Sequence, residues 1–179
     1  VDIAELLVDH GAVHEDFFDL HGVVGVGRGE HVAVHADLLH VIFNNIRNLK
    51  YINAGTITDS GAVVVAGTTT LAAGAGNNIT LNSAGNDFST VVISSGNNVT
   101  LVDSNAIDLG ASTVSGTLNV TTSGAITDSG TLVVTGTTTL AAGAGNNITL
   151  DDAANNFSTV AITSGNNVTL VDVNAIDLG

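Results

Sequence analysis

The chain has 179 residues and a formal net charge of −14, with only three Lys and Arg and no Cys, Pro, Trp or Met. Without Cys there is neither a disulfide scaffold nor a thiolate metal site. With so few cations there is little to displace the counterions of a nucleic acid or to hold an anionic membrane surface; no apolar run reaches the roughly 20 residues of a membrane-spanning helix.

Residues 1–46 differ in composition from everything after them. All six His, eight of the 17 acids and all three cations (Arg28, Arg47, Lys50) fall before residue 51. In ADLLHVIFNNIRNLK (36–50), apolar residues at 38, 39, 42, 43, 46 and 49 predict an amphipathic helix; the rest of the segment reads as helical or disordered. His10 and His14, like His31 and His35, are four apart, a spacing that on a helix shares one face and suits zinc or nickel. His31-Val-Ala-Val-His35 reads more like a strand, however, and no third ligand recurs at fixed spacing. The run from Gly22 to Gly29 lacks the spacing of a phosphate-binding loop. Two readings of the segment stand: a cap on the open end of a repeat array, or a stretch out of frame. It is expected to be dispensable for the fold that follows. The opening Val1 and the lack of Met read as a piece of a longer protein with no visible signal peptide.

Residues 47–179 are repetitive. The segment 55–110 recurs at 124–179, so one period is 55–123 and the next begins at 124. GTTTLAAGAGNNITL is identical at 67–81 and 136–150. Short runs such as NITL, NVTL and AIDL alternate apolar with Thr or Asp, and Gly or Asn separates them, the pattern of short strands. The period divides into segments of 23, 24 and 22 residues (90–112, 113–136 and 137–158), which predicts a β-solenoid of about 23 residues per coil and five to six coils. Val63, Val65, Ile79, Leu81, Val91, Ile93, Val99, Leu101, Ile107 and Leu109 are assigned inward. The copies differ at 56, 62, 66, 92 and 94, of outward parity, at 82, 83, 85, 87 and 104 in turns, and inward only at Val63, which pairs with Leu132. The repeat resumes at Leu49, the partner of Leu118.

Asn-Asn follows Gly at 77–78, 97–98, 146–147 and 166–167. Asn tolerates the left-handed conformation of a tight corner, and stacked Asn amides can form a ladder. Asn147 is expected inside such a corner, where its loss costs more than that of Asp151 and Asp152, the one adjacent acid pair of the repeats. The N-x-T sequons at these corners are usable only in a glycosylating host. Asp/Asn/Gly turns offer oxygen ligands for weak surface calcium, but the calcium-binding nonapeptide is absent. No catalytic, cofactor-binding or metal site is assigned, and no cofactor.

The stretches GAITDSGTLVVTGTTTLAAGAGNNITL, NNFSTVAITSGNNVTLVDVNAIDLG and ASTVSGTLNVTTS resemble the repeats of filamentous-haemagglutinin-like and autotransporter-like exoproteins of Gram-negative bacteria. The resemblance covers about residues 47–179. It implies an all-β, right-handed parallel β-helix, export through an outer-membrane translocator, and a non-enzymatic role at the cell surface as a stalk or adhesin facing host or environmental glycans and proteins. Parallel β-helices also serve carbohydrate-active enzymes, so the alternative is a fragment of such an enzyme whose catalytic coils lie elsewhere. Glycoside hydrolysis needs two carboxylates at a set separation, and the first copy has Asn82 and Ser83 where the second has Asp151 and Asp152.

Overall fold

The computed structural model describes residues 48–179. The helix and His pairs read between residues 10 and 47, the glycine run, and the cap and frame readings lie outside the described residues. Leu49 and Lys50, the last two positions of the expected helix, are strand instead, because from Leu49 onward apolar residues fall at every second position and the chain joins the repeat.

Among the described residues fifteen strands follow one another: β1 (Leu49–Ile52), β2 (Ile57–Thr58), β3 (Val64–Ala72), β4 (Ile79–Leu81), β5 (Asp87–Ser95), β6 (Val99–Asp103), β7 (Ile107–Leu109), β8 (Ser112–Val114), β9 (Leu118–Thr122), β10 (Ile126–Asp128), β11 (Leu132–Ala141), β12 (Ile148–Leu150), β13 (Asn156–Ser164), β14 (Val168–Leu170) and β15 (Asp177–Leu178). They form two sheets, ordered β1-β3-β5-β7-β10-β12-β14 and β15-β13-β11-β9-β6-β4-β2, with β8 beside β11. Every pairing is parallel. Parallel neighbours without hairpins mean that the chain winds as a β-solenoid, of about six turns. At about 4.8 Å per rung the rod is about 29 Å long.

The ten residues assigned inward are all buried. Their strands alternate buried and partly exposed side chains, as in Ile79-Thr80-Leu81. Apolar side chains therefore stack on equivalent ones in the next coil: Ile79 faces Ile57 and Val99, and Leu101 faces Leu81 and Val120. Each such side chain withdrawn from water contributes about 1.5–3 kcal/mol. None of the outward or turn positions at which the copies differ is buried.

The coils are not of one length, and they do not divide the period into thirds. The longest steps join β3 to β5 and β11 to β13, in the registers Val64↔Asp87 and Val133↔Asn156, where long strands bend through register shifts. Shorter steps separate Ile79 from Val99, between β4 and β6, and Thr90 from Asp108, between β5 and β7. Three successive steps carry Leu49 through Thr69 and Val91 to Leu109, and the rest of the period crosses to the other sheet at Leu118. The period of the sequence is therefore not a whole number of coils. Sequence-equivalent strands lie in opposite sheets: β1 and β9, β3 and β11, β6 and β14.

Candidate functional site

The polar residues of the repeat divide into those that fasten one coil to the next and those that line a surface groove. The fastening begins with the turn after β2. Asp59 accepts hydrogen bonds from the backbone N–H groups of Asn82 and Ser83, 3.1 and 3.0 Å, and from Asn86 Nδ2, 2.7 Å. Asn86 is fully buried and its Oδ1 accepts from Val63 N–H, 2.8 Å. One carboxylate and one amide thus fill the donor and acceptor needs of a corner and tie it to the preceding coil. The second copy repeats the clip with Asp128, the N–H groups of Asp151 and Asp152, and Asn155, whose Oδ1 accepts from Leu132 N–H at 2.7 Å.

A second clip uses Asp103. Its carboxylate is buried, 2 % exposed, and accepts from Phe88 N–H at 2.6 Å and Asn105 N–H at 2.8 Å. Burial pushes its pKa above the ordinary 3.8, since the charged form loses its water. The two backbone hydrogen bonds oppose that rise. Asp172 repeats the arrangement with Phe157 and Asn174.

The Asn-Asn corners do form ladders, two short ones on different sheets. Asn78 Oδ1 accepts from Asn97 Nδ2 and from Asn98 N–H, and Asn147 Oδ1 accepts from Asn166 Nδ2 and from Asn167. The left-handed positions of these corners are Gly74 and Gly143, with φ of 85° and 81°, just ahead of Asn77 and Asn146. Asn77 Nδ2 closes the turn on Ala73 O at 2.8 Å. Asn147 lies exposed rather than inside the corner, so water can replace the bonds its side chain makes. Asp59, Asp103 and Asp128, by contrast, aim their carboxylates at buried or half-buried donors.

Asp151 and Asp152 do not form a paired site. Asp151 is exposed, whereas the Asp152 carboxylate accepts from Thr131 Oγ1 at 3.0 Å and Ala154 N–H at 2.9 Å. The groove, of about 400 Å³, is lined by Val65, Phe88, Asp87, Asn105, Asp108 and Thr127 among others. Its acids are engaged too. Asp87 accepts from Asn105 Nδ2, and Asp108 from the hydroxyls of Thr90, Thr127 and Ser129. Such a wall can accept hydrogen bonds from a hydroxylated ligand but presents no cation for an acidic one. Among the described residues no three His, Asp or Glu gather as a metal-binding group.

Sequence reasoning missed Asn86, Asn155, Asp59 and Asp103 as structural residues. The signal was present: the copies differ at 82, 83, 85 and 87, yet Asn86 between them is unchanged. No curated protein and no solved structure matches the chain. A family model described as repeats of unknown function, DUF5649, matches residues 34–95 and again residues 96–164. The second unit has the length of one period and the first begins ahead of β1, so the matched units take in most of the chain. The protein belongs to this family of repeats, DUF5649.

Proposed function

We propose that this structural repeat segment works as a stalk or adhesive surface of a secreted or cell-surface bacterial exoprotein, without enzymatic activity. The observation that carries the reading is the use made of the carboxylates. Asp59, Asp103, Asp128 and Asp172 each bridge coils through backbone N–H groups, which is the work of a scaffold. The likeness of the repeats to those of filamentous-haemagglutinin-like proteins supports the same place, outside the cell. No helix of the described residues is long and apolar enough to cross a membrane; in the exoproteins that the repeats resemble, an outer-membrane translocator delivers the chain. The outward faces, rich in Thr, Ser and Asn, suit hydrogen bonding to surface glycans or proteins. The test is antibody raised against the recombinant chain and applied to intact cells of the source bacterium. Labelling without permeabilisation agrees with the reading; labelling only after permeabilisation overturns it.

A further inference from the structure

The outward side chains of the two sheets differ in what they are bound to. On the seven-stranded sheet, Thr90, Asp108 and Thr127 are neighbours in one row, and Asp108 accepts hydrogen bonds from both threonine hydroxyls and from Ser129. On the eight-stranded sheet a row runs Thr80, Thr100, Asn119, Thr139 through β4, β6, β9 and β11. All four are partly or fully exposed. Their side chains make no hydrogen bond to another of the described residues. Beside this row lies a second, Val102, Thr121 and Ala141. No outward residue of these four strands is charged, although the chain carries −14 in all.

The rows form a fixed grid. The pairings of β4, β6, β9 and β11 run without a register shift, so neighbours across the strands are about 4.8 Å apart and alternate residues along a strand about 6.6 Å. Thr is branched at Cβ and stiff at χ1, which holds each hydroxyl and methyl in place. Beneath the rows, Leu81, Leu101, Val120 and Leu140 stack as a buried layer, close-packed and resistant to deformation. Such a grid orders first-layer water at little entropic cost. Both of its repeats lie near those of the oxygen rows in hexagonal ice. Its lack of charge suits an uncharged lattice, since a charged side chain gives up its hydration only at high cost. A soluble sugar fits less well: the aromatic rings on which it would stack, Tyr51, Phe88 and Phe157 among the described residues, are all buried.

We propose that the outer face of β4, β6, β9 and β11 binds ice, the row Thr80, Thr100, Asn119, Thr139 holding water in a lattice-like layer that merges with the crystal. The seven-stranded sheet is the wrong face for it, because Asp108 puts a charge in the row and takes the hydroxyls of Thr90 and Thr127 for itself. Such a face acts wherever the chain meets ice, so it stands independently of a role at the cell surface.

The test grows ice slowly on a cold finger in a solution of the full chain and measures the protein taken into the ice. The unmodified chain should enter the ice, whereas an ordinary soluble protein is left in the liquid, and it should facet single ice crystals viewed under a microscope. Thr100→Lys sets a long charged side chain in the middle of the row. With unchanged circular dichroism, it should lose both the uptake and the faceting. Thr149→Lys makes the same change at a partly exposed position on the other sheet and should keep both. An unmodified chain that stays in the liquid overturns the proposal, as does a Thr149→Lys chain that loses as much uptake as Thr100→Lys. A chain that is excluded from ice but retained on crystalline cellulose also overturns it, and gives the face to a neutral polysaccharide.

Discussion

Replacing Asn86 with Asp alters one clip by a single functional group. The Oδ1 that accepts Val63 N–H at 2.8 Å remains, but the Nδ2 that donates to Asp59 Oδ2 at 2.7 Å becomes a second carboxylate oxygen. Two carboxylates at that separation cannot both ionise, and one proton is held between them. Exchanging a hydrogen bond to a charged group for the repulsion of two carboxylates should cost about 1.5–3 kcal/mol when both are charged. The folded pKa is raised above the unfolded value, so stability is retained at low pH, where the shared proton takes the place of the lost N–H donor. It is lost as pH rises through the folded value. Urea melts followed by circular dichroism, run at acid and at neutral pH, read this directly. The variant should approach the unmodified chain in acid and fall below it at neutrality; Asn155→Asp should behave alike against Asp128. An equal loss at both pH values, or none at either, would refute the clip as the source of stability.

Three further outcomes follow from the same geometry. Asp103, whose carboxyl burial pushes above 3.8, should make the chain lose stability as pH climbs from 3.8 through the folded value; Asp103→Asn should flatten that slope in melts across a pH series, at a cost of about 1–3 kcal/mol for setting an amide donor against a backbone donor. The hydroxyls of Thr69 and Thr138 are buried with no hydrogen-bond partner, so Thr69→Val and Thr138→Val should each raise the urea midpoint, by about 1 kcal/mol in stability; a drop would mean that the hydroxyl has a role. A Cβ on Gly136 would meet the carbonyl oxygen of Gly116 at 2.6 Å, whereas one on Gly145 meets nothing within 4 Å, so Gly136→Ala should cost about 2 kcal/mol and Gly145→Ala should lie within about 0.5 kcal/mol of neutral, compared in paired melts.

The core was legible because strand side chains alternate with a period of two, and because a copied sequence shows which positions tolerate change. Both signals are local, and they placed all ten apolar residues from Val63 to Leu109 inside. The winding was less legible. Where a coil closes is decided where long strands such as β3 and β11 bend and where turns are short, and no single residue type marks those places. Equal thirds of the period were the simplest division; the chain instead completes three coils between Leu49 and Leu109, short of a full period. The clips were hidden for a related reason. Asp59 and Asn86 are 27 residues apart, a separation that gains meaning only once the coil length is known. Asn147 was misjudged as interior because a corner Asn can point either way, and neither propensity nor repetition fixes which.

The winding itself can be read with one pair of cysteines. Thr80 and Thr100 are register partners in β4 and β6, both on the outer side, where neighbouring Cα atoms suit a disulfide. Coils cut as equal thirds of the period would put Thr80 beside Asp103 instead. In the chain carrying Thr80→Cys and Thr100→Cys, mild oxidation should close an intramolecular disulfide in the folded monomer, while Thr80→Cys with Asp103→Cys should stay reduced. A bond in the second pair and none in the first would contradict the stacking on which the clips and the sheet exchange of the two copies both depend.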